Sequence, residues 1–134
     1  MNRPVLMSVY EFGHTGFPST PEGSAMSKVR IDQMIESAAA CICDTGCDLA
    51  RLPIRLASGW PDAPALELTV ALASAAEAVQ SMLQANGPSG ARAQIVWQQA
   101  ALVAAEVHYL AVTNAPHATA GDLLLHWQRE SEGP

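Results

Sequence analysis

The chain is 134 residues long, with 49% apolar and 15% charged residues and a formal charge of −6 at pH 7. That is one domain's length with enough apolar content to close a core, which argues against global disorder. Seven Lys and Arg against thirteen Asp and Glu leave no broad basic face, so neither nucleic acid nor an anionic membrane is an expected partner.

Residues 1–25 read as an irregular arm. Positions 5–12 suit a short extended segment, and 14–24 are dense in Gly, Pro, Ser and Thr, as loops are. Val5-Leu6-Met7 is too short for the apolar core of an export signal, and Glu11 follows it closely. With three cysteines, an odd number, the expected compartment is a reducing cytoplasm. Met26 is an alternative start that leaves residues 26–134 as one helical domain.

The first predicted helix runs from a cap at Ser27 to about Thr45, with Gly46 as its stop. Its apolar set is Val29, Ile31, Met34, Ile35, Ala38, Ala39 and Ile42. Cys41, Cys43 and Cys47 form the densest cluster of ligand-type residues. On a continuous helix Cys43 and Cys47 share a face while Cys41 points elsewhere. A structural zinc site needs four ligands, so small core residues are the expectation and no metal is assigned. Asp48 opens a short second segment, and Pro53 makes it kinked or 3₁₀. The same proline rules against a DNA-reading helix–turn–helix over 35–58.

Residues 62–114 read as two long Ala-rich helices joined by Asn86-Gly87-Pro88-Ser89-Gly90. Asp62 and Pro64 supply a start signal, and Asn86-Gly87 a stop. Leu68, Leu72, Ala75, Ala76, Val79, Met82 and Leu83 gather on one side of the first arm. Val96, Ala100, Val103, Ala104, Val107, Leu110 and Ala111 gather on one side of the second, and a short connection makes the arms antiparallel. Ile95, Leu102 and Tyr109 form a second apolar stripe on the second arm. A polar seam of Arg92, Gln99 and Glu106 parts it from the first face. The stripe either covers the short helices of the same chain or forms a subunit interface. Trp97 lies between the two apolar faces, and Trp60, Trp97 and Trp127 are each core fillers or contact anchors. Thr119 and Asp122 resemble a capping box that starts a last helix.

No catalytic grouping is visible. There is no G-x-S-x-G elbow, no Gly-rich phosphate loop, no H-E-x-x-H and no Glu-x-x-His. His14, His108, His117 and His126 read as histidines without catalytic duty. No catalytic, cofactor-binding or metal residue is assigned, and no cofactor is expected. The expected fold is an all-α bundle of four or five helices around a long antiparallel hairpin, with an irregular N-terminal arm. The expected function is a small non-enzymatic interaction or regulatory protein, a homodimer that also presents a helical surface to another protein. Ile95, Trp97, Leu102 and Tyr109 are its candidate interface. The alternative is a small-molecule binder or enzyme with a pocket between helices, lined by groups such as His108, Tyr109 and Trp97. A nucleic-acid regulator is less favoured.

Overall fold

The computed structural model describes residues 21–83 and 87–132. In chain order the elements are α1 (Pro21–Cys43), a 3₁₀ turn (Leu49–Arg51), α2 (Leu52–Gly59), α3 (Leu66–Leu83), α4 (Pro88–Val112) and α5 (Ala120–Ser131). This is an all-α fold built on a long helix pair, with no strand among the described residues. The chain divides into residues 1–30 and 31–134. In the first unit the described part is the opening turns of α1, where Met26 and Val29 are exposed.

Helix α1 begins at Pro21 rather than Ser27, so residues 21–25 are helical and not part of an arm. Proline is well suited to the first helical turn, where its missing N–H is not needed. The expected irregular segment over 1–20 lies outside the described residues. The helix ends at Cys43, two residues early, because the backbone turns under Asp44. The Asp44 N–H donates to Cys41 O at 3.3 Å, the Asp44 carboxylate accepts from Gly46 N at 2.9 Å, and Cys47 N donates to Asp44 O at 2.8 Å. Asp48 then caps the 3₁₀ turn through Ala50 N, and Pro53 falls in the first turn of α2, where it costs no hydrogen bond.

The hairpin arms are antiparallel: Thr69 reaches Ala100 and Gln80 reaches Trp97, so residue numbers fall on one arm as they rise on the other. The Thr69 hydroxyl donates to the backbone carbonyl of Ala100 at 3.3 Å. Such a bond requires close backbones, and buried Ala71, Ala75, Ala76, Ala93 and Ala100 permit that approach. Met82, placed on the core face by its spacing, is exposed. Around the pair, Met34, Ala38 and Ile42 of α1, Leu52 and Leu56 of α2 and Leu123 of α5 complete one core.

Helix α3 starts at Leu66, not Asp62, because residues 61–65 are engaged elsewhere. Ala65 N donates to Ala118 O at 2.9 Å, Ala120 N to Ala63 O at 2.8 Å and Gly121 N to Pro61 O at 2.8 Å. This short antiparallel strap ties the entrance of α5 to the entrance of α3. A Cβ on Gly121 would lie 3.2 Å from Pro61 O, so the strap closes only over a residue without one. Helix α4 ends in a Schellman motif, with Asn114 left-handed (φ 61) and Ala115 N donating to Leu110 O at 2.9 Å. The capping box of α5 forms as its spacing suggests. Thr119 Oγ1 accepts from Asp122 N at 3.2 Å, and Asp122 Oδ2 accepts from Thr119 N at 3.1 Å. Thr119→Ala is expected to destabilise the fold by about 1 kcal/mol, with Thr119→Ser near wild type. Urea unfolding checks this, and equal losses in the two variants would show that the hydroxyl does not act as a cap.

Candidate functional site

Helix α4 organises the surface as well as the core. Of its polar seam, each member turns towards the shorter elements. Arg92 Nε donates to Ile42 O, and its Nη2 is shared among Cys41 O, Asp44 O and Cys47 O, all at 2.8 Å. One guanidinium thus satisfies the last carbonyls of α1, which have no partner within the helix, and draws the following turn onto α4. One turn-pair further on, Gln99 Nε2 donates to Leu49 O at 2.6 Å. Its Oε1 is buried without a partner. Next, Glu106 Oε1 accepts from the Trp127 indole N–H at 2.9 Å. The seam that the sequence reading took for a divider is the line along which α1, the 3₁₀ turn and α5 are attached.

That arrangement decides where the second stripe goes. The seam covers the short elements, and the stripe does not. Ile95, Leu102 and Tyr109 are 45%, 64% and 61% exposed. The expectation that they cover the short helices of the same chain is therefore corrected. The exposed face extends beyond these three. Ala91, Ile95, Gln98, Leu102, Ala105, Tyr109 and Val112 are all exposed and alternate by four and three residues, the register of a two-helix seam. No exposed residue of α4 is Asp, Glu, Lys or Arg. Trp97, the fourth candidate, is half-buried against the core, with its indole N–H on Gln80 Oε1 at 2.9 Å. It stands at the border with α3 and apart from the exposed row. Trp60 and Trp127 also pack against the core. By length and composition alone α4 could cross a membrane. In this fold seven of its residues are buried against the bundle, and its Arg92, Gln99 and Glu106 are hydrogen-bonded to protein groups.

The cysteines depart from the expectation of three small core residues. Cys41 and Cys47 are joined in a disulfide, with Cα atoms 5.3 Å apart, and Cys43 is free and exposed. A continuous helix would have put Cys43 and Cys47 on one face. The turn after Cys43 instead carries Cys47 back over the last turn of α1. Arg55 of α2 donates to Cys47 Sγ at 2.9 Å. An open cleft of about 420 Å³ lies here, with both sulfurs' residues, Asp44, Asp48 and Arg55 in its wall.

His108 and Tyr109 are exposed, and Trp97 faces Gln80, so the trio offered for an enclosed pocket does not converge. An open cleft of about 250 Å³ lies instead beside Pro53, Ile54, Gln99, Leu102, Glu106 and Trp127. His117 Nδ1 is 2.9 Å from Ala115 O in the loop before α5. His126 Nε2 lies 3.9 Å from Glu106 Oε2 and 3.5 Å from Glu130 Oε2. The ligand atoms of Glu106, His126 and Glu130 lie within 4.8 Å of one another and could hold a divalent cation. Sequence reading missed this trio. Its legible half is His126 with Glu130, one turn apart on α5, whereas Glu106 joins them only through the packing of α5 on α4. No protein-family profile matches the chain, and no curated protein or solved structure does.

Proposed function

We propose that this protein is a non-enzymatic interaction or regulatory protein that assembles as a homodimer through the exposed face of α4. The observation that carries the reading is the uncharged row of Ala91, Ile95, Gln98, Leu102, Ala105, Tyr109 and Val112 in a chain of net charge −6. Free surfaces are normally interspersed with charge, and a long apolar row without any favours burial against a partner. A second copy fits it best. Ile95 and Tyr109 each stand seven residues from Leu102. An antiparallel pairing about Leu102 sets Ile95 opposite Tyr109 of the partner subunit, as a two-fold axis requires. The small Ala91 and Ala105 let the helices approach. Any further protein partner would use the surfaces that the dimer leaves open. We place the protein in a reducing cytoplasm, where a bond between Cys41 and Cys47 is transient rather than permanent.

Sedimentation equilibrium tests the reading. At tens of micromolar the wild-type chain is expected to be dimeric, with micromolar affinity (about −8 kcal/mol). An Ile95→Asp, Leu102→Asp double variant should bind itself about a hundredfold more weakly while keeping its helicity, because it buries unpaired carboxylates at the centre of the row. A monomeric wild type, or a double variant that assembles normally, would overturn the proposal.

A further inference from the structure

We propose that Cys41 and Cys47 form a redox-active dithiol–disulfide site that exchanges with low-molecular-weight thiols, Cys47 being the sulfur attacked and Cys41 the resolving one. The site is separate from the α4 face and does not depend on it.

Three features distinguish it from a simple staple. The first is unequal access. Cys41 is 4% exposed, whereas Cys47 is only partly buried and Arg55 beside it is exposed. A cleft of about 420 Å³ opens at the pair and admits a small thiol. The second is unequal electrostatics. The Arg55 guanidinium sits 2.9 Å from Cys47 Sγ and favours negative charge there. Cys41 belongs to the last turn of α1, where the helix dipole disfavours an anion. The carboxylates of Asp44 and Asp48 oppose Arg55 in the same cleft, but each is engaged by a backbone N–H, of Gly46 and Ala50. The third is independent support. Arg92 holds Cys41 O and Cys47 O with the same Nη2. The two backbones therefore stay at bridging distance when the sulfur bond opens, as a reversible pair requires.

The exchange balances with two equivalents of thiol. A small thiolate attacks Cys47 Sγ and forms a mixed disulfide. The bond to Cys41 breaks, and Cys41 leaves with the electron pair and takes up a proton from solvent. A second thiolate attacks the outer sulfur of the mixed disulfide, releases the small-molecule disulfide and leaves Cys47 as a thiolate beside Arg55. In sum one protein disulfide is reduced and two small thiols are oxidised to one disulfide. The reverse reaction begins with attack of the Cys47 thiolate on a small disulfide.

The test uses the full chain with Cys43→Ser, equilibrated with mixtures of reduced and oxidised glutathione, acid-quenched and mapped by mass spectrometry. The pair should titrate reversibly between dithiol and disulfide while far-UV circular dichroism stays constant. With Cys41→Ser added, a glutathione adduct should accumulate on Cys47. With Cys47→Ser instead, Cys41 should stay unmodified in the folded protein. Arg55→Gln, which keeps both cysteines, should slow reoxidation of the reduced protein by oxidised glutathione about fivefold. The proposal is overturned if the bond opens only as helicity is lost, if the adduct forms on Cys41, or if Arg55→Gln reoxidises at the wild-type rate.

Discussion

Ala76→Leu is expected to destabilise the protein by about 3 kcal/mol, at the upper end for an overpacked core. Ala76 is fully buried on α3, seven residues after Thr69 and four before Gln80. Both of those side chains reach α4, Thr69 at a backbone carbonyl and Gln80 at Trp97. Ala76 therefore lies on the line where the two backbones come closest. Three extra carbons there cannot be taken up by a rotamer change, since they meet the facing helix. The arms must separate, which breaks the Thr69–Ala100 bond and opens gaps beside Leu72 and Val96. A fall in melting temperature of about 10 to 20 °C is the expected reading by calorimetry. Ala→Leu raises intrinsic helix propensity hardly at all, so no compensating gain is available. A loss below 1 kcal/mol would mean that the arms are not held at alanine distance.

The second large effect belongs to Arg92. Arg92→Ala is expected to cost about 3 kcal/mol in urea unfolding, since it leaves four carbonyls without their donor. Some of the four reach water after the change, which is why the loss is not four times that of a single bond. Arg92→Lys should recover less than half, because a compact ammonium cannot span Ile42, Cys41, Asp44 and Cys47 with a planar fork. If lysine restores full stability, charge alone matters and the clamp is incidental. Proteolysis would localise the damage, with cleavage after α1 appearing before any in α3 or α4.

Periodicity made the hairpin legible. Leu68, Leu72, Val96, Val103 and Leu110 are buried as their spacing requires, because one helical face tens of ångströms long leaves a signal that survives local noise. Thr119 and Asp122 were legible for a different reason: a cap is a local contract among four residues. What could not be read depends on distant pairing. Asp62 and Pro64 resemble a helix start, yet that backbone is taken by Ala118 and Ala120 from more than fifty residues away. The row Arg92, Gln99, Glu106 has the spacing of a solvated stripe, and only the partners supplied by α1, the 3₁₀ turn and α5 reveal it as an attachment line. The cysteine pairing hung on a helix ending two residues earlier than expected, and helix ends are where sequence signals are weakest. The exposed stripe on α4 was legible as residues, and its surroundings were settled only by seeing which side the seam faces.

The three anchors on α4 recur every seven residues, so they stand about 10 Å apart and drift only about 20° between one and the next. They work as fixed pegs for three separate pieces of chain. The length of α4 is therefore constrained as strictly as its composition. Adding or removing one residue between Arg92 and Glu106 would swing everything beyond it by about 100°. That would unhook α5 from its peg while leaving the helix itself intact. Tolerance for insertions should consequently lie outside this helix, and divergent versions of the chain should vary around a rod of unvarying pitch.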